Sequence, residues 1–312
     1  MTIESSATHS VMPLLPGMSS RTTGWWWGLL GIVAFSFTVP FTRVAVTAFP
    51  PLFIGSARGV IAAALAATVL AVTRQRRPTA RQWLRLGVVA GGVVAGFPLL
   101  TSFALTTAPA GHSAVVIGLL PAATAVMAVL RGRERPARSF WFLAALGAVV
   151  TVVVASLQNG GLGALHWSDL LLFGAVVAAA VGYAEGGLLA RELGSWQTIS
   201  WALVVAAPVM TVCCLASVAG RDLSGTPAAW LALAYLGVIS MFLGFFAWYR
   251  GLAIGPMAQV SQVQLVQPVL SIAWAALILH ERVGWPTVVG GLAIIACAAL
   301  AVRTRLHRKV PA

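Results

Sequence analysis

Apolar positions along this chain fall in long uninterrupted runs rather than in short alternating segments. Ten runs can be read, at 24–47, 51–73, 83–106, 109–130, 140–157, 167–190, 198–219, 227–250, 256–279 and 284–302. The separators are short and either turn-rich or basic: Phe49-Pro50-Pro51, Arg74 to Arg81, Pro109, Arg131 to Arg138, Gln158-Asn159-Gly160-Gly161 and Arg221-Asp222. About 20 apolar residues carry a helix across a bilayer. In lipid a helix satisfies its own backbone hydrogen bonds, whereas a closed barrel would show alternating strands. The pattern predicts an all-α integral membrane protein of ten transmembrane helices.

Composition agrees. The chain has 312 residues, 59% hydrophobic and 9% charged, against roughly 25% charged in a soluble protein. Its main partner is therefore the lipid bilayer, and no length remains for a sizeable soluble domain. A net charge of +13 raises nucleic acid as a partner, but the basic residues sit in the gaps between runs, where they orient helices instead. With the N-terminus in the cytoplasm, that side collects Arg21, Arg74, Arg76, Arg77, Arg81, Arg85, Arg131, Arg133, Arg135, Arg138, Arg191, Arg250, Arg303, Arg305, Arg308 and Lys309. The other side keeps Arg221 and Arg282. This bias predicts a bacterial-type inner-membrane protein with both termini cytoplasmic. Residues 1–23 read as a disordered tail, with the first helix retained rather than cleaved, and 304–312 as a basic tail. Cys213, Cys214 and Cys297 lie inside apolar runs, without disulfide or metal spacing. No cofactor is expected.

A gapless shift of 147 residues superposes Trp83-Leu84 on Trp230-Leu231, Ala104-Leu105 on Gly251-Leu252, Pro109 on Pro256, Pro121 on Pro268 and Glu134-Arg135 on Glu281-Arg282. Residues 24–157 and 167–303 therefore read as two copies of one unit. Each copy has five helices, an odd number, so the copies would sit in the membrane with opposite orientation. Inverted repeats of this kind recur in transporters that alternate access around a central site.

In these motifs the chain resembles the EamA type of the drug/metabolite transporter superfamily, over nearly its whole length. The resemblance rests on the Ala-Leu and Gly-Leu pairs before Pro109 and Pro256, on Leu120-Pro121 and Gln267-Pro268, and on Glu134-Arg135 and Glu281-Arg282. Arg58 in Ser56-Ala57-Arg58-Gly59 matches an arginine that such proteins place in their second helix. One departure is Arg133 and His280, which precede the two glutamates where the family often has glycine or a small residue. The resemblance implies ten helices around a central cavity and export or exchange of small metabolites, without fixing the substrate.

Ionisable groups inside a span are costly and usually face a cavity or a partner. Glu185, in Gly182-Tyr183-Ala184-Glu185-Gly186, is a candidate for binding a proton or a substrate amine; the alternative is a pair with Arg191 or snorkelling to the cytoplasmic face. Arg58, two turns into the second run, can hold a substrate carboxylate or a structural partner. Arg43 reads as snorkelling. His112 and Gln259 are equivalent under the shift, which makes His112 a proton-coupling candidate; a hydrogen-bonded structural histidine is the alternative. At 100° per residue Gln259, Gln262 and Gln267 share an arc of about 140° that includes Trp274, with Gln264 outside it. This stripe reads as cavity lining or as helix-to-helix glue. Tyr183, Trp248 and Tyr249 can stack on aromatic or cationic cargo. Trp25 to Trp27, Trp83, Trp141, Trp167 and Trp230 read as interfacial anchors.

Gly87, Gly91, Gly92 and Gly96, Gly182 and Gly186, and Gly251 and Gly255 have the spacing that lets helices approach closely. Glu134 and Glu281, each next to an arginine, close the two copies of one helix, as local ion pairs or caps, or secondarily as gating groups. The function expected is a gradient-driven secondary transporter for a small polar or amphipathic molecule, amino acids leading, with drug efflux by the same fold or a non-transporting sensor as alternatives. No metalloprotease pair, nucleophile elbow or nucleotide-binding loop occurs, so an enzyme is not expected. Monomer and homodimer both remain open.

Overall fold

A computed structural model describes residues 20–132, 166–220, 223–254 and 260–303, together with Phe142, Ala145, Leu146, Val149 and Val150. Most of the predicted fifth run, the tails at 1–19 and 304–312, and the candidates Glu134 and Gln259 lie outside the described residues, as does the side chain of Gln262. Among the described residues every regular element is a helix. Seven are long and apolar enough to cross a membrane: α1 (Thr23–Val46), α2 (Pro51–Val72), α3 (Ala80–Ala104), α4 (Ala110–Arg131), α5 (Trp167–Leu193), α6 (Ser195–Val218) and α7 (Pro227–Ile254). Two further apolar helices follow: α8, a 3₁₀ turn Ser261–Leu265 continued by Val266–Leu279, and α9 (Trp285–Arg303). The elements α5 to α9 are thus the sixth to tenth runs of the sequence. At 1.5 Å per residue the seven are about 33–42 Å long, more than a hydrocarbon core of about 30 Å.

Many side chains that look outward along the helices are apolar. Leu84, Val177, Val212, Leu215 and Leu231 are all exposed, an arrangement that suits lipid rather than water. Trp25, Trp26, Trp167 and Trp230 are exposed near helix starts, as interfacial anchors should be. Trp83 differs, packing edge-on to Trp201 with ring centroids 5.4 Å apart.

The helices pack in a regular scheme: α2 against α6, α1 against α7, α3 against α5, and α4 against α8 and α9. The 147-residue shift carries the α1–α7 pair onto α5–α3 and maps α2–α6 onto itself. Close approach depends on glycine at a few positions. A Cβ on Gly92 of α3 would lie 2.4 Å from the Ala178 carbonyl oxygen and 3.0 Å from the Gly182 nitrogen of α5; one on Gly251 would lie 2.7 Å from the Gly28 nitrogen. Gly87 and Gly91 are different from the sequence expectation. A Cβ on either meets nothing within 4 Å, because they face away from the α3–α5 seam.

Most of the long helices are irregular at mid-depth. In α1 the helix breaks at Phe37, just before Pro40. The chain widens to a π-helix over Ala90–Gly96 in α3 and over Leu236–Leu243 in α7, places that the 147-residue shift brings almost into register. A break at Gly118 and Leu119 precedes Pro121 in α4, and the 3₁₀ turn of α8 precedes Pro268. Proline lacks the N–H that would bond four residues back and clashes with that carbonyl, so the two prolines, aligned by the 147-residue shift, each interrupt their helix. His280 ends α8 with φ +52°, a left-handed cap that favours glycine.

Candidate functional site

We term the side where α1 begins the near face and the opposite side the far face. Between them the irregular stretches surround a narrow cavity of about 20 Å³, room for about one water. Its floor is aromatic: Phe35, Phe97 and Phe245 line it with Tyr183, and Phe35 packs on Phe245 at 4.9 Å and on Tyr183 at 6.4 Å. Besides the Tyr183 hydroxyl, polar groups enter from four helices: Thr38 and Ser240, whose hydroxyls lie 2.8 Å apart, with Gln267 and Arg58.

Arg58 is the one charged group among the described residues lining this cavity. It is 2% exposed, and its Nε and one terminal nitrogen are buried without a hydrogen-bond partner. None of the ion pairs among the described residues involves it. A guanidinium carries five donors, and leaving buried donors unpaired costs about 1–3 kcal/mol or more for a charged group.

The other sequence candidates are placed elsewhere. Glu185, 1% exposed on α5, is bridged to Arg85 of α3 and Arg131 of α4, and Arg85 also pairs with Glu192. Its partners are therefore two arginines from other helices, not Arg191, and it does not line the cavity. His112, at the far-face start of α4, places Nε2 2.6 Å from Asp169 Oδ1 of α5, and Asp169 Oδ2 accepts the His166 backbone N–H at 3.0 Å. Asp169 was not singled out in the sequence, although the same cost rule that flags Glu185 applies to an acid at the start of an apolar run. Helices α4 and α5 are thus tied at both ends, by His112–Asp169 and by Arg131–Glu185. The two acids are sixteen residues, or about 24 Å, apart along α5.

Tyr249 is fully buried over Gly186 and donates its hydroxyl to the Gly182 carbonyl at 3.2 Å. Trp248 is buried between Tyr183 and Gly31. Neither lines the cavity; both build the wall behind it. Trp274 stacks on Phe37 at 4.5 Å and donates to the Ser36 hydroxyl oxygen at 3.0 Å. Gln267 does reach the cavity. Gln264, placed outside the polar arc by the α-helical wheel, is 1% exposed with both side-chain polar atoms unpartnered. It does not line the cavity.

Helix ends use charge. Glu281, in the connection between α8 and α9, accepts the backbone N–H groups of Ala110 and Gly111 at 2.9 Å each. It caps α4, whose own N-cap residue Pro109 offers no side-chain acceptor. Arg43 does not simply snorkel; it donates to the Leu105 and Thr106 carbonyls at the end of α3.

Comparison with known proteins matches two segments of the chain, residues 22–156 and 166–303, to the EamA-like transporter family. The "Uncharacterized transporter YdeK" of Bacillus subtilis (strain 168) is 45% identical over 287 residues, spanning 92% of this chain and 99% of that protein. A solved structure described as "Crystal structure of protein" superposes with a TM-score of 0.64 at 19% identity, over 92% of this chain and 100% of the other. That likeness concerns the fold.

Proposed function

Because the chain belongs to the EamA-like transporter family, we propose that it is a secondary transporter that exports or exchanges small polar or amphipathic metabolites by alternating access. Amino acids are the leading class. One observation carries the reading: the mid-depth cavity, ringed by broken helices and holding a buried Arg58 with two unpartnered nitrogens. Irregular backbone at membrane depth is tolerated where it lines a cavity, and binding sites of transporters form at such places.

Ten helices in two inverted units, 24–157 and 167–303, supply the moving parts. The nearly equivalent π-helical stretches and the paired packing of α1–α7 with α5–α3 support this arrangement. The near face is cytoplasmic in this scheme, following the positive-inside bias. The Arg85–Glu185–Arg131 bridge closes that side, and His112–Asp169 ties the opposite one. Opening either side requires parting α4 from α5 at that end. His112 with Asp169 serves as a proton-coupling pair in this scheme.

The test is counterflow in proteoliposomes containing the purified chain. Saturable exchange of at least one class in a panel of amino acids, organic acids and cationic drugs is expected. With a proton gradient imposed, His112→Gln and Asp169→Asn should reduce accumulation more than they reduce counterflow. Folded protein without counterflow for any class would sink the transport reading.

A further inference from the structure

We infer that Arg58 is the anchor for an anionic group, and that the cargo is a small organic acid carrying an apolar or aromatic body, not a cation. This deepens the transport reading above and rests on it. A buried guanidinium with unpartnered nitrogens needs an acceptor, and the described residues offer it no carboxylate. A carboxylate fits its planar donors well.

The rest of the cavity decides the cargo's other end. Phe35 and Phe245 give an apolar wall, while Thr38, Ser240, Tyr183 and Gln267 contribute neutral polar groups. No acidic side chain is among the described lining residues, so a positively charged group would find a like charge and no counter-ion. The acid that could have served, Glu185, is occupied by Arg85 and Arg131. An amino acid can still bind, with its ammonium held by neutral oxygens or by aromatic faces. Its decarboxylated amine should not.

The cavity as it stands is about the size of one water, so the aromatic wall must part to admit cargo. Phe35 sits two residues before the α1 break at Phe37, and Phe245 follows the π-helical stretch of α7. Each lies beside backbone that can change its winding.

The experiment uses four matched compounds with one body: phenylalanine, phenylalaninamide, phenethylamine and 3-phenylpropionate. Thermal stabilisation of the detergent-purified full chain reports binding, and counterflow reports transport. Phenylalanine and 3-phenylpropionate should stabilise the wild type, and phenylalaninamide and phenethylamine should not. Arg58→Gln should lose the stabilisation by the two acids, and Arg58→Lys should keep part of it. Equal stabilisation by phenethylamine and 3-phenylpropionate, or no stabilisation by either acid, overturns the proposal, and neither outcome depends on a variant folding. Stabilisation by the acids without counterflow would uphold the anion site while the transport reading fell.

Discussion

Ser271 donates its hydroxyl to the Ser36 carbonyl at 2.8 Å, across the contact between α8 and α1. The carbonyl is available because Pro40, four residues on, has no N–H to give it. A helix break that would leave a buried acceptor unpaired is thereby closed by another helix, and the break becomes a joint between α1 and α8. Trp274, one turn further along α8, adds its bond to the Ser36 hydroxyl.

Ser271→Ala should therefore lower stability by about 1 kcal/mol, the cost of one buried acceptor left without a donor. Pro40→Ala restores the intrahelical donor, so the loss from Ser271→Ala should shrink in the Pro40→Ala background. Thermal unfolding of the four proteins in detergent measures this cycle. An unchanged loss in the double variant would mean that Pro40 does not create the need that Ser271 fills.

The near-face bridge gives a second expectation. Glu185 is buried between Arg85 and Arg131, so Glu185→Gln removes the charge that holds α3, α4 and α5 together there. A bias of about 1 kcal/mol toward the state open on that side corresponds to roughly fivefold in population. The readout is labelling of a cysteine placed at the cavity residue Ala179, in a background lacking the three native cysteines, by an impermeant maleimide applied from the near face. Faster labelling in the Glu185→Gln protein is expected. An unchanged rate would show that the bridge is not what closes this side.

Much of this was legible in the sequence, for identifiable reasons. Run length and basic separators located the described helices to within a few residues, because a span must be apolar throughout and cannot end elsewhere. Arg58 was visible because a charge two turns inside a span is costly wherever it points. The partners of Glu185 and His112 were not visible. Arg85, Arg131 and Asp169 are far from them in sequence, and only packing brings them together. Trp248 and Tyr249 have the chemistry of a stacking platform, yet burial puts them one layer behind the cavity.

Adjacent glycines in α3 give the sharpest contrast. Gly92 faces α5, where a Cβ would meet the Ala178 carbonyl oxygen at 2.4 Å and the Gly182 backbone at about 3 Å. Backbone cannot move aside as a flexible side chain can, so Gly92→Ala must push α3 away from α5. The expected cost is about 1–3 kcal/mol, typical of overpacking. Gly91 is exposed and a Cβ there meets nothing within 4 Å. Gly91→Ala should leave stability unchanged or raise it by up to about 1 kcal/mol, since alanine loses less backbone freedom in a helical segment. Both variants differ from the wild type by one methyl in neighbouring positions, so composition and hydropathy cannot separate them. Unfolding temperatures in detergent will: equal values for the two would mean that α3 and α5 are not in the backbone-to-backbone contact that Gly92 and Gly182 define.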